Sequence, residues 1–515
     1  MYVSKTKKSV YNIITSIISQ IITVSMGIVI PRLVMVNLGS ESNGLLSSIT
    51  QILGYASLLE AGVGLASLQA LYKPVAEKDS SSVNAIISAT NLYYKRTGIV
   101  YFLVVVLLSV LYPFVVKTTI PYLTVFIVVI ISGLPGVINY YFQGKYKILL
   151  QAEGKNYIIT NLTTVVSVLI SIGKILLLLL GFGIVAVQLL YLLFSLAQMI
   201  YIACYMRKCY PWIDLSAQPA FEKLSQRNSV FAHQLSGTIF SNTDVVTLSV
   251  FCGLGVVSVY SMYAMLFGMI GTFLSSLANS ITFILGQELG TDEKRYLTIQ
   301  DSFELIYISL SFSLIFVAYV FILPFLKIYT FGVNDIDYID SVLPVLFASV
   351  ALLENSRLSS VKTIHVAGHF KQTQWHAWVE MTINIIISIL GVLIYGIYGV
   401  LLGTIAALIF RANAMILYAN KRILHRSPWK TYRRWLVNLA LFVALTILSK
   451  PIFSRIELNT YPKIILSAAI TCVIVIPLFF VVSSLFDRET YHYVKEVLIH
   501  PIMERIKQKL RPSSH

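Results

Sequence analysis

The chain has 515 residues, of which 57% are hydrophobic and only 12% charged, with a mean hydropathy of +0.78 and a formal net charge of +16. A soluble domain carries about 25% charged residues, so this composition excludes a soluble globular chain and indicates an integral membrane protein. The excess of Lys and Arg does not indicate a nucleic-acid partner, because the cations are spread along the chain rather than gathered in one patch.

Runs of about 20 apolar residues, each long enough to cross roughly 30 Å of hydrocarbon as a helix, recur as far as Ser484. They are continuous in Leu, Ile and Val rather than alternating, which predicts helices and not barrel strands. The first follows Lys5, Lys7 and Lys8; it is too long for a signal-peptide core and lacks a small-residue cleavage site, so it is expected to remain as helix one. The runs fall near 11–36, 44–72, 95–116, 119–142, 157–180 and 184–205. After the polar stretch RKCYPWIDLSAQPAFEKLSQR come 229–251, 256–285, 303–327, 341–364, 375–395 and 399–420, then 433–449 and 463–484.

The expected fold class is therefore an all-α integral membrane protein of about 14 transmembrane helices, in two six-helix lobes plus two C-terminal helices. The expected domains are an N-lobe over 1–206, a cytoplasmic amphipathic linker over 207–228, a C-lobe over 229–420, helices 13 and 14 within 421–486, and a basic amphipathic cytoplasmic tail over 487–515. That tail sets Val494, Leu498, Ile502 and Ile506 among Lys495, Arg505, Lys507, Lys509 and Arg511, a pattern suited to an anionic membrane surface.

Lys and Arg on short loops set orientation. Lys117, Lys327, Lys450, Arg455 and Lys463 fall on one side, Arg32, Lys174, Arg357 and Arg411 within spans, and the other 30 on the side of the amino terminus. Both termini are thus expected in the cytoplasm. Leu38–Gly39 matches Leu254–Gly255, Lys155 matches Lys371 and Gly183 matches Gly399, all at an offset of 216 residues, as in a duplicated chain with parallel repeats.

Ionisable groups inside spans cost several kcal/mol unless they pair or face water, so they mark function. The anionic candidates are Glu60, Asp244, Glu354 and Glu380; the cationic ones are Arg32, Lys174, Arg357 and Arg411. Four against four allows mutual pairing, and Arg32, beside Pro31, and Lys174 lie near enough to helix ends to snorkel. Glu354 and Arg357 are three apart, so in a continuous helix they share a face, and Glu354 is expected to hold Arg357. In a cavity, Arg357, Arg411 and Lys174 suit a phosphate-bearing substrate, since guanidinium forks bind phosphate oxygens bidentately. Glu60, Asp244 and Glu380 are candidates for proton or sodium coupling. Cys204, Cys209, Cys252 and Cys472 have neither zinc nor disulfide spacing, and His233, His365, His369 and His376 share no ligand spacing, so no metal and no cofactor are expected.

The stretches PRLVMVNLGSESNGLLSSITQILGYASLLEAGVGLA, YFQGKYKILLQAEGKNYI and DVVTLSVFCGLGVVSVYSMYAML resemble the Wzx-type polysaccharide flippases. These belong to the polysaccharide transporter family of the multidrug/oligosaccharidyl-lipid/polysaccharide (MOP) superfamily, beside the multidrug and toxin extruders (MATE) and the lipid II flippases. The resemblance covers about residues 10 to 485 and implies two lobes around a cavity that opens alternately to each side. It implies a substrate, undecaprenyl-diphosphate-linked oligosaccharide repeat units moved to the outer leaflet of a bacterial cell membrane. Arg357, Arg411 and Lys174 would contact the diphosphate, with Glu354 and Arg32 in the same diphosphate and glycan cavity, and a polysaccharide polymerase and a chain-length regulator would be partners. Relatives often carry Asp where this chain has Glu60. The alternatives are a MATE-like drug exporter, or a teichoic-acid precursor or lipid II flippase of the same fold. A membrane-embedded polymerase is disfavoured by short outward loops, and the chain has no Walker-type nucleotide loop, so no enzyme is expected.

Overall fold

The computed structural model describes residues 5–60, 63–224, 227–289, 292–453 and 456–496, and among these it contains helices and no strand. The first group of helices is α1 (Lys5–Leu38), α2 (Ser40–Ala56), α3 (Val63–Glu77), α4 (Ser80–Val115), α5 (Tyr122–Ile138), α6 (Gly144–Ala152), α7 (Asn156–Leu179) and α8 (Ile184–Cys209). The second is α9 (Arg227–Phe251), α10 (Leu254–Leu289), α11 (Glu293–Tyr329), α12 (Leu343–Ser356), α13 (Leu358–Val366), α14 (Phe370–Tyr395) and α15 (Ile397–Tyr418). α16 (Trp429–Phe453), α17 (Tyr461–Phe486) and α18 (Arg488–Val494) follow.

Among the described residues, eleven helical stretches are long and apolar enough to cross a membrane, or twelve when α2 and α3, bent by 46°, count as one. α9 is interrupted by polar residues, Asn242 to Asp244 among them, and α12–α13 is cut at Arg357. With these two the architecture is the fourteen-helix, all-α membrane fold expected. The expected tail helix beyond Glu496 lies outside the described residues.

Backbone roles put the repeat offset nearer 214 than 216. Gly39 (φ 84°) and Gly253 (φ 94°) end α1 and α9, and Gly154 (φ 70°) and Gly368 (φ 72°) end α6 and α13, each pair 214 apart. A left-handed residue after a helix is nearly free only for glycine, so these four mark equivalent joints. The carboxylates of Asp79 and Asp292 accept from Ser82 N (3.1 Å) and Arg295 N (3.0 Å), capping α4 and α11 alike. The letter matches at 216 fall about two residues beyond these joints.

The chain packs as two compact units, Met1–Ser261 with Gly332–Asp337 and Val392–Ile397, and Met262–Phe331 with Tyr338–Gly391 and Tyr398–His515. In the first, α1 lies on α7, α4 on α5 and α2 on α9. The starts of α2 and α10 meet main chain to main chain. A Cβ at Gly44 would sit 1.8 Å from the Leu254 carbonyl oxygen, and Asn43 Nδ2 donates to Ser258 Oγ at 2.7 Å. In the second unit α11 packs against α12, α16 and α17. α14 and α15 cross so closely that a Cβ at Gly399 would lie 2.0 Å from the Gly391 carbonyl oxygen.

Candidate functional site

α14 carries Thr373, His376 and Glu380 at helical spacing, so all three share one face. Glu380 on that face holds two arginines. Arg357 Nη1 lies 2.5 Å from its Oε1 and Arg411 Nε 3.6 Å from its Oε2, while Arg411 Nη1 also donates to the Thr373 carbonyl oxygen at 3.4 Å. The three side chains are 15%, 11% and 9% exposed for Arg357, Arg411 and Glu380. Two guanidiniums on one carboxylate leave one positive charge without a carboxylate partner among the described residues.

Glu354 is not the partner of Arg357. It is exposed and makes no ion pair among the described residues. The three-residue rule fails because α12 ends at Ser356: Arg357 sits in the turn before α13, and its side chain reaches α14 instead. At the offset of 214, the equivalent place in the first repeat is Gln143, the end of a π-helical turn over Asn139–Gln143 between α5 and α6. Such turns inside helices recur at functional positions. Beside the triad, α14 and α15 form a mostly apolar groove of about 510 Å³ with Trp375, Phe410 and Tyr418 on its walls and Lys421 and Arg422 in its lining.

The other candidates belong to the first unit. Glu60, in a 3-10 turn after α2, accepts from the Tyr94 hydroxyl; the Tyr140 hydroxyl faces the same carboxylate, and Lys147 is its nearby cation. Asp244 is buried and accepts from the Tyr260 hydroxyl at 3.0 Å. Lys174 is half-buried, its ammonium 5.4 Å from the Tyr191 ring centroid, a cation–π contact rather than an ion pair. Arg32 is half-buried beside Pro31 in α1. No group of three or more His, Cys, Asp or Glu able to hold a metal occurs among the described residues, and the four cysteines are free thiols.

Sequence reasoning missed a six-charge network in the second unit. Arg434 Nη1 lies 3.1 Å from Asp301 Oδ1 and from Glu304 Oε1, and Arg434 Nη2 lies 2.5 Å from Asp487 Oδ2. Arg426 pairs with Asp301 and, at 2.9 Å, with Glu304, and Lys430 pairs with Asp301 at 2.8 Å. Burial alone would raise the Asp487 carboxyl, but the Arg434 guanidinium overrides it and holds it below the ordinary carboxylate range. Three acids meet three bases, so the cluster is neutral and ties α16 and α18 to α11. The Tyr210 hydroxyl, just beyond α8, is raised well above its ordinary value by burial and by its hydrogen bond to Glu153.

The fold is shared with transporters. A MATE family multidrug resistance transporter of the MOP superfamily, inward-facing, matches with a TM-score of 0.65 at 15% identity over 78% of this chain and 94% of that one. The lipid II flippase MurJ, inward closed, matches with a TM-score of 0.65 at 15% identity over 93% of this chain and 99% of that one. A MOP superfamily transporter from Pyrococcus furiosus, whose binding pocket has a reversed polarity that suggests a different function, matches with a TM-score of 0.53 at 15% identity over 80% and 95%. No curated protein matches the sequence. The model of the polysaccharide biosynthesis protein family matches residues 9–283, more than half of the chain, and the protein belongs to that family.

Proposed function

We propose that the protein is a Wzx-type flippase that carries undecaprenyl-diphosphate-linked oligosaccharide repeat units from the cytoplasmic to the outer leaflet of a bacterial cell membrane, by alternating access, for capsule, exopolysaccharide or O-antigen assembly. Both termini face the cytoplasm in this reading, and the two lobes are 1–206 and 229–420. The observation that carries it is the triad in which Arg357 and Arg411 share Glu380 and keep one positive charge in excess. A diphosphate would take up that excess, with forked guanidinium bonds to its oxygens. The family supports a role in polysaccharide biosynthesis, and the fold supports transport over catalysis. Glu60, Asp244 and Glu380 are the carboxylates proposed for proton or sodium coupling, and a polymerase and a chain-length regulator are proposed to act beside it.

A MATE-like drug exporter is the second reading, favoured by a TM-score equal to that of MurJ. Drug substrates are often cationic, and the excess positive charge at the triad argues against them. The test is a deletion strain complemented with wild type or Arg411→Ala, scored for surface polymer and for lipid-linked repeat units retained on the inner leaflet. Wild type should restore polymer, while Arg411→Ala leaves repeat units stranded. Unchanged polymer in the deletion strain with no stranded units would refute the flippase reading and leave drug export as the next assay.

A further inference from the structure

Lys145, in the first turn of α6, is 7% exposed, as buried as many core residues. Its ammonium donates to Asn91 Oδ1 at 2.6 Å and lies 5.0 Å from the Tyr146 ring centroid, and it forms no ion pair among the described residues. An ammonium has three N–H donors, and a buried one without a counter-charge is costly. One further lysine stands by it. Lys95, one turn after Asn91 on α4, lies 6.0 Å from the ring centroid of Tyr141, four residues before Lys145, and is close enough to repel it. Lys147, two residues on along α6, points elsewhere, to Asn139 Oδ1 at 2.5 Å, with Glu60 as its nearby carboxylate. Lys145 and Lys95 thus leave two positive charges with no ion pair among the described residues on the adjoining faces of α4 and α6.

We infer that Lys145 and Lys95, with Asn91, form a second anion site, for a phosphate or diphosphate group, in the first unit. The charge bias of the loops puts this end of α6 on the cytoplasmic side, where a lipid diphosphate would enter. The assignment of a lipid source rests on the flippase reading; the site itself rests on the uncompensated lysines. Lys95 is exposed, so the anion reaches the group from its side and completes its bonds at Lys145.

The test uses the full-length protein in detergent with Arg357→Gln, Glu380→Gln and Arg411→Gln in place, which removes the triad without stranding a charge, and reads binding of farnesyl diphosphate and of inorganic pyrophosphate by calorimetry. Farnesyl diphosphate should still bind, and adding Lys145→Gln should weaken it by about ten- to a hundredfold, the worth of one charge-assisted hydrogen bond. Lys145→Arg should keep the affinity. The melting temperature of Lys145→Gln should hold or rise, because the change removes a buried charge that has no counter-charge; a fall in melting temperature with affinity intact would mark a structural lysine and overturn the site. So would binding in the triad-deficient background that Lys145→Gln leaves unchanged, or no binding of either probe to the wild type. Equal affinity for inorganic pyrophosphate supports the site and assigns it to free phosphate, whereas a preference for farnesyl diphosphate assigns it to a lipid headgroup. Polymer export, scored separately, reports on the flippase reading whichever probe binds.

Discussion

Glu380 is the residue on which the triad turns. Replacing it with Gln leaves Arg357 and Arg411 as neighbouring like charges, and stranding buried charges in this way costs about 3–5 kcal/mol. Glu380→Gln is therefore expected to melt well below wild type in detergent, and added pyrophosphate should raise its melting temperature more than that of wild type; equal shifts would mean that the arginines take no anion. The arginines themselves were legible in the sequence, since a cation inside an apolar run stands out by composition alone. Their partner was not. Glu354 was expected from helical spacing, and the spacing lost its meaning where the helix breaks at Arg357. Lys145 was hidden for another reason: beside a span end it reads as an orientation signal, and only its burial sets it apart.

Among the elements, the six-charge network decides how α16 and α18 are held to α11. Asp301, Glu304, Arg426, Lys430, Arg434 and Asp487 all lie at or near span ends, where hydropathy treats charge as ordinary, so nothing in the sequence linked residues more than a hundred positions apart. Arg434 and Glu304 are each 1% exposed and Asp487 3%, so removing one partner exposes the rest to a large desolvation cost. Because the Asp487 carboxyl is held below its ordinary range, its contribution is complete above the unfolded value of about 3.9 and is lost as pH falls through the lower folded value. Hydrogen exchange should therefore find the amides of Arg488–Val494 protected at neutral pH and released in strong acid, and in Asp487→Asn released already at neutral pH. Protection that does not change with either treatment would show that packing alone holds α18.

For the whole molecule, the order and number of helices were readable from apolar runs, because a membrane imposes length and composition together. The duplication was readable too, but letters placed it two residues off, since a joint is conserved as a backbone conformation and not as an identity. Parallel repeats predict that equivalent joints face one way. In a variant lacking Cys204, Cys209, Cys252 and Cys472, Ser80→Cys and Lys294→Cys should react with an impermeant thiol reagent from the same side of the membrane, and Thr119→Cys and Asn334→Cys from the opposite side. Ser80→Cys and Lys294→Cys labelling from opposite sides would mean inverted repeats. The neutrality of the network on α11 and α16 bears on the far field as well. Its six charges cancel within a few ångströms, inside a Debye length of about 8 Å. The formal +16 of the chain is thus carried entirely by other residues, and the attraction to anionic headgroups should survive intact when the clamp on α16 and α18 is cut.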